Sequence, residues 1–432
     1  MAARQLMGRK VVVVAGARTP FLRSGTGFSQ MMSYELGAMA VSGLLHKTEI
    51  DPALVDRVIM GTVIAEPRTS NLAREVVLAS GLPQSCPAYT VTAACTSANV
   101  AITNAIEAIA VGMADVVIAG GAETLSDVPI RFSKPVRQRL IAAQKAKGAA
   151  DYVKLLSGLK PTDIMPDTPA IAEFTTGLTM GENAERMAKR YGVSREEQDA
   201  YALDSHLWAA KATEEGLLRE QIVTAMAPPD FQPISADNGV RGDTTLEKLG
   251  KLPPVFDRRF GTVTAGNASF LTDGAAVCLL MSEEAAERLG FEPLAVVKSF
   301  SFVSMDPLEE LLLGPAFSIP GALDSAGLTM DQVDVFELHE AFAAQMVTNI
   351  KVLGDETFCR DRLGREGAVG RIPREKLNAW GGSLSIGHPF GATGARLVMT
   401  AAQRLKHEQG RYGLVAACAA GALGSAMVLE RV

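Results

Sequence analysis

The sequence predicts an α/β layered fold in two related halves, with an excursion inserted into the first. Three observations carry this reading. Short apolar runs alternate with helical stretches through roughly the first 125 residues, the pattern of strands joined by crossover helices. The same order of elements returns near the C-terminus. Between them, from about Asp127, runs a basic, proline-interrupted stretch that resembles neither.

The first half begins with Val11-Val12-Val13-Val14, a buried strand closed by a turn at Arg18-Thr19-Pro20-Phe21. A helix over 34–46 and a strand over 58–63 follow. Residues 89–94 read as a short strand, 96–112 as a helix with apolar residues at helical spacing, and 114–119 as a second strand ending in Gly120-Gly121. Cys95 sits between strand and helix. Arg131, Lys134, Arg137, Arg139, Lys145 and Lys147 then fall close together, and Pro161, Pro166 and Pro169 break the pattern. A helix over 181–191 leads to Ser194 and Glu197, a capping box that opens another helix running to about Glu215. Strands are expected again over 261–269 and 274–281.

The second half repeats the first in outline. Residues 50–56 before one strand match 328–334 before the strand 335–338. The unit around Cys95 matches Gly387-His388-Pro389-Phe390, its helix to about Gln409 and the strand 413–417. A duplicated domain with its copies face to face follows from this. The division is an N-terminal core of 1–126 and 261–283, an inserted loop domain of 127–260, and a C-terminal core of 284–432.

Bulk properties narrow the function. The chain has 432 residues, 47% hydrophobic and 21% charged, enough for more than one core. A net charge of −6 gives no reason to expect nucleic-acid binding. No apolar run is long enough for a membrane helix, and the basic N-terminus lacks a signal core. The five cysteines are odd in number and unpaired at Cys-x-x-Cys spacing. That argues for a reducing compartment and against a zinc ribbon or a disulfide framework.

Four residues stand out chemically. Cys95, near a helix N-terminus, is either a nucleophile favoured by the helix dipole or a small core residue. His339 ends a strand, and His388 lies in the glycine-rich turn 387–394 that opens a helix; these are positions where α/β proteins place their sites. Cys418 follows a strand and precedes small residues that leave room for a ligand. His46, His206 and His407 are expected on helix surfaces.

With these motifs in order, the sequence resembles the thiolase family. The resemblance rests on the cysteine loop 91–99, His339-Glu340-Ala341-Phe342, residues 387–394, the Cys418 turn, Met180-Gly181-Glu182-Asn183-Ala184-Glu185, and Thr264-Ala265-Gly266-Asn267-Ala268-Ser269. His339 before Glu-Ala-Phe, Phe270 after Asn-x-Ser, and Ala98-Asn99 after the cysteine resemble the branch of β-subunits in fatty-acid oxidation trifunctional complexes. The resemblance implies a duplicated thiolase fold, two α/β/α-layered domains face to face with an inserted loop domain. It implies a 3-ketoacyl-CoA thiolase of β-oxidation, with an acetoacetyl-CoA-forming thiolase as the alternative at the same site. A decarboxylating ketoacyl synthase would not need Cys418, and a catalytically dead scaffold would not need all four residues.

The resemblance also implies roles. Cys95 is the nucleophile that carries the acyl group, His388 its base, and Cys418 the acid and base at carbon. His339, through a water, and His388 form one oxyanion hole; the backbone N–H groups of Cys95 and Ala420 form the other. Met180, Ala265, Ser269 and Phe342 cradle coenzyme A, which is a substrate. No permanent cofactor and no metal are implied. The cations of 131–147 are one candidate source for phosphate contacts, and a solvated or partner-facing surface is the other reading. Homodimers or tetramers, a hydratase/dehydrogenase α-subunit and a membrane contact are the partners implied. The location implied is bacterial cytoplasm, or the mitochondrial matrix in a eukaryote.

Overall fold

The computed structural model describes residues 8–167 and 172–432; Met1 to Met7 and Pro169, both part of the sequence reading, lie outside them. The core strands are β1 (Val11–Arg18), β2 (Arg57–Gly61), β3 (Ala88–Val91), β4 (Val116–Glu123), β5 (Thr272–Ser282), β6 (Ala295–Ser304), β7 (Val335–Leu338), β8 (Tyr412–Ala419) and β9 (Leu423–Arg431).

The duplication is visible in the pairing. In the N-terminal half β2 pairs in parallel with β3 and β4, β4 runs antiparallel to β5, and β5 antiparallel to β1. In the C-terminal half β7 is parallel to β8 and bridges in parallel to Leu377; β8 is antiparallel to β9, and β9 to β6. Side chains repeat the match. Asp56 Oδ2 accepts from the backbone N–H groups of Asp115 and Val116 at 2.7 and 2.9 Å, and Asp334 Oδ2 from those of Arg411 and Tyr412 at 2.7 and 3.1 Å. Each aspartate closes the entry to the neighbouring strand.

The halves meet in two ways. At their edges β1 and β6 pair at Val12↔Val296 and Val13↔Ala295, joining both halves into one sheet of these nine strands, with the two-residue strand Leu22–Arg23 pairing on β5 as a tenth among the described residues. Between their faces lie two helices, α1 (Ser97–Ala110) and, at the far end of the chain, the helix Thr393–His407. The latter touches strands of both halves and packs on α1. It is buried along nearly its whole length, Arg396 and Arg404 included.

Most elements lie where periodicity puts them. Residues 261–269 do not. They form an irregular loop rather than a strand, because side chains satisfy the backbone. Glu185 accepts from the N–H groups of Thr262 and Val263 at 2.9 Å, and Asn267 Oδ1 from that of Thr264 at 2.7 Å. The predicted capping box is present: Ser194 Oγ accepts from Glu197 N at 3.2 Å, and Glu197 Oε2 from Ser194 N at 2.7 Å, opening the helix Arg195–Glu214. His206, expected at the surface, is buried. Its Nδ1 accepts from Arg241 N at 3.2 Å, and desolvation with nearby arginines pulls its pKa down to about 4. The stretch after Asp127 carries two short helices, Lys134–Ala143 and Ala149–Leu156.

Candidate active site

β3 ends at Val91, and the chain turns sharply through Ala94, whose φ of 48° is left-handed and costs strain for a residue with a Cβ. Hydroxyls hold the turn. Ser97 Oγ donates to Ala94 O and accepts from Ala93 N, at 2.7 and 2.8 Å; Thr96 Oγ1 donates to Ala93 O at 2.7 Å. Cys95 is thereby presented just before α1, with its surface open to a cavity of about 330 Å³.

The same cavity is lined by His388, Cys418, Ala420, Met180, Ser269 and Phe342. Ser269 and Phe342 meet because Ser269 N donates to Ala341 O at 3.0 Å, beside a bridge from Ala268 to Phe342. Met180 opens its helix behind the Thr179 cap. Ala265 is not brought in; it lies on an exposed turn away from the cavity wall. None of the six cations of 131–147 lines the cavity either. Arg137 pairs with Asp167 at 3.1 Å and Arg139 donates to Leu155 O at 2.7 Å, so these two hold the excursion together.

His339 is fully buried behind the wall. It is anchored at the end of β7 by its N–H on Ala416 O at 2.8 Å. Its ring lies 4.0 Å from that of His388, centroid to centroid. Cys95 Sγ and one nitrogen of each histidine all lie within 4.8 Å of one another. These are also donor types that a soft cation accepts. The loop carrying His388 packs closely on the N-terminal half: a Cβ on Gly121 would fall 1.9 Å from Gly391 O, so alanine there would push the loop away.

The hydrogen bonds of Thr393 allow His388 to act as a base. Thr393 Oγ1 lies 2.6 Å from His388 Nδ1 and 3.1 Å from Pro389 O; with its proton on Pro389 O, its oxygen accepts from His388 Nδ1–H. In that arrangement His388 Nε2 bears the lone pair. It is buried without a hydrogen-bond partner, beside the Cys95 sulfur.

Burial leaves the site neutral. Desolvation pushes the Cys95 thiol up to about 12, while the N–H groups of Ala420 and of Cys95 itself pull the other way. The helix N-terminus alone does not make a thiolate here. Cys418 is pushed well up by desolvation and then by Cys95. Desolvation, and then Arg396, lowers His388 to about 3. A base with a lowered pKa stays unprotonated as pH falls, until its own folded pKa is reached. The free enzyme is thus expected to show no acid limb in kcat/KM near the ordinary imidazole value of about 6.5; a limb there in a rate profile over pH 5–8 would contradict this.

Sequence reasoning missed Glu123, at the end of β4. It is fully buried and accepts from Val63 N, Ile64 N, Thr62 Oγ1 and Gly391 N at 2.9, 3.0, 3.1 and 2.9 Å. Desolvation raises it to about 7 against those donors. It ties the cavity wall at Val63 and Ile64 to the His388 loop. Its place after Gly120-Gly121 was the available signal.

Known families match this arrangement over nearly the whole chain. Residues 11–284 match the model "Thiolase, N-terminal domain" and residues 291–431 "Thiolase, C-terminal domain". The chain belongs to the thiolase family. It is 50% identical to the human mitochondrial trifunctional enzyme subunit beta over 422 residues, 98% of this chain and 88% of that one. It is 46% identical to a 3-ketoacyl-CoA thiolase of Escherichia coli, covering 98% and 97% of the two chains. Among solved thiolases, human mitochondrial 3-ketoacyl-CoA thiolase in complex with CoA superposes with a TM-score of 0.84 at 30% identity, over the full length of both chains. The duplicated thiolase fold expected from the sequence is the one observed, and in this thiolase the Cys95 turn and the His388 loop come from its two halves.

Proposed function

We propose that the chain cleaves 3-ketoacyl-CoA with CoA to give acetyl-CoA and a shortened acyl-CoA, in fatty-acid β-oxidation. The observation that carries the reading is the convergence of Cys95, the lone pair of His388 Nε2, and Cys418 on one largely apolar cavity. His388 takes the Cys95 proton as the sulfur attacks the 3-keto carbon. The bond between C2 and C3 then breaks. Cys418 gives its proton to the departing C2 carbanion, and the acyl group stays on Cys95 as a thioester. Incoming CoA gives its thiol proton to Cys418, attacks the thioester, and leaves as acyl-CoA while His388 returns the proton to Cys95. The N–H groups of Cys95 and Ala420 stabilise the adduct oxygen; His339 and His388 serve the enolate oxygen. The pantetheine arm lies along Met180, Ser269 and Phe342. The same steps run backwards in condensation.

The test is thiolysis of 3-ketoacyl-CoA substrates from short to long chain by the purified chain, read as CoA-dependent acetyl-CoA formation. Turnover on medium or long chains supports the β-oxidation role. Turnover on acetoacetyl-CoA alone favours the biosynthetic one, and no turnover at any length would overturn the catalytic reading.

A hydratase/dehydrogenase subunit is the partner we assign to the excursion after Asp127. The support is likeness to a trifunctional beta subunit together with Ile130, Phe132, Ile141, Val153 and Met165, all exposed. Large apolar side chains left in water on one excursion mark a binding face. Replacing Phe132, Ile141 and Val153 by serine is expected to weaken co-purification with that subunit by about tenfold or more without lowering thiolysis. Unchanged association would remove the excursion from the interface.

A further inference from the structure

Two histidines stand side by side in this site, and the chemistry needs different things of them. One must present a lone pair to take a proton. The other must present an N–H to a growing negative charge. Two lone pairs would repel the oxyanion, and two N–H groups would leave no base. Thr393 holds His388 in the first form when its own proton goes to Pro389 O. What settles His339 is a different hydroxyl.

His339 Nδ1 lies 3.0 Å from Ser383 Oγ, and both residues are fully buried. Ser383 Oγ also accepts from Arg396 Nη2 at 3.1 Å. A guanidinium has donors and no acceptor, so the serine proton cannot go to Arg396. Among the described residues, the remaining partner of that hydroxyl is His339 Nδ1. The alternative leaves a buried O–H proton unbonded, at a cost of about 1–3 kcal/mol. Arg396 is itself held by Glu337 at 3.4 Å, with both side chains fully buried, so the guanidinium stays directed at the serine.

We propose that Ser383, oriented by Arg396, is a positioning residue that donates to His339 Nδ1 and so fixes the tautomer in which His339 Nε2–H serves as the oxyanion donor. The proposal rests on the thiolysis reading above, and it adds the residue that makes His339 a donor. Nε2 of His339 has no hydrogen-bond partner in the resting site, as a donor waiting for a substrate oxygen or its bridging water should. Desolvation, then His388 and Arg396, holds the ring neutral, so the tautomer rather than a second proton decides what Nε2 offers. Ser383 and Thr393 each lie five residues from His388, one on either side, so a single loop carries both settings.

The test is a double-mutant cycle, which separates a pairwise role from a packing role. Ser383→Ala is expected to lower kcat by about 10- to 100-fold, less than the ~100- to 1,000-fold seen when an oxyanion donor itself is removed, with KM changed by less than about threefold. His339→Asn presents an amide N–H that needs no tautomer. In that background Ser383→Ala is expected to change kcat by less than about threefold. Ser383→Thr, which keeps the hydroxyl, is expected to restore most of the rate. An equal loss in both backgrounds, or no loss in the wild type, would overturn the proposal. Nitrogen-15 NMR of the histidine rings gives an independent readout: protonated Nε2 on His339 supports the proposal, and protonated Nδ1 overturns it. If the wild type carried out no thiolysis, the functional reading would fall, and the NMR result would still decide the tautomer.

Discussion

Cys95→Ser is expected to lower kcat for thiolysis by at least ~10,000-fold while leaving the fold intact, the scale seen when a nucleophile is removed from a working constellation. Serine is close in size, and the Ala94 turn is pinned by Thr96 and Ser97 rather than by the sulfur. An alkoxide is much harder to form than a thiolate, and His388 is a weak base in this desolvated site. The few per cent of thiolate a free cysteine carries at neutral pH is also lacking here, because burial pushes the thiol to about 12. Proton transfer to His388 must therefore accompany attack, and the step is sensitive to the atom attacked from. Steady-state thiolysis with a circular-dichroism check on the variant measures this. A loss under about tenfold would remove Cys95 from the chemistry.

Glu337→Ala is expected to destabilise the chain by about 3–5 kcal/mol, the cost of breaking a buried ion pair by removing one partner. Glu337 accepts from Arg404 Nη1 at 2.8 Å and faces Arg396 at 3.4 Å, and all three side chains are fully buried. Arg404 keeps Glu408 at 2.7 Å and the carbonyls of Phe336 and Lys376, each at 3.1 Å. Arg396 keeps no carboxylate within ion-pair distance among the described residues, only the longer-range attraction of Glu340 and Asp237, so its buried charge is left without a direct counter-ion. Urea unfolding of wild type and variant measures the change. A cost within ~1 kcal/mol would mean that water or rearranged side chains reach the guanidinium.

The local parts of this site were legible in the sequence, and the long-range parts were not. The Cys95 turn and the His388 loop each lie within a dozen residues, so a strand, a turn and a helix start could be recognised from apolar runs and glycines. The aspartate match between Asp56 and Asp334 was legible because each closes the same seven-residue pattern. Ser383 carries no local signal. Its role depends on His339 and Arg396, brought to it by β7 and by the helix Thr393–His407. Glu123 reads as a strand terminus until the loop after β2 folds over it. The stretch 261–269 reads as a strand because Thr262, Val263 and Thr264 form a β-branched run. Glu185 and Asn267, whose side chains replace the ladder, decide otherwise. Strands β6 and β9 went unassigned: β6 mixes buried and half-exposed positions, and β9 follows a small-residue turn that blurs where β8 ends.

The central claim is that the acyl group passes through Cys95. The most direct measurement is the intact mass of the chain quenched early during reaction with a 3-ketoacyl-CoA, followed by peptide mapping. The account predicts a mass increase equal to the shortened acyl group, located on Cys95, discharged by added CoA and absent in Cys95→Ser. Turnover without any adduct, or an adduct on Cys418 instead, would contradict it.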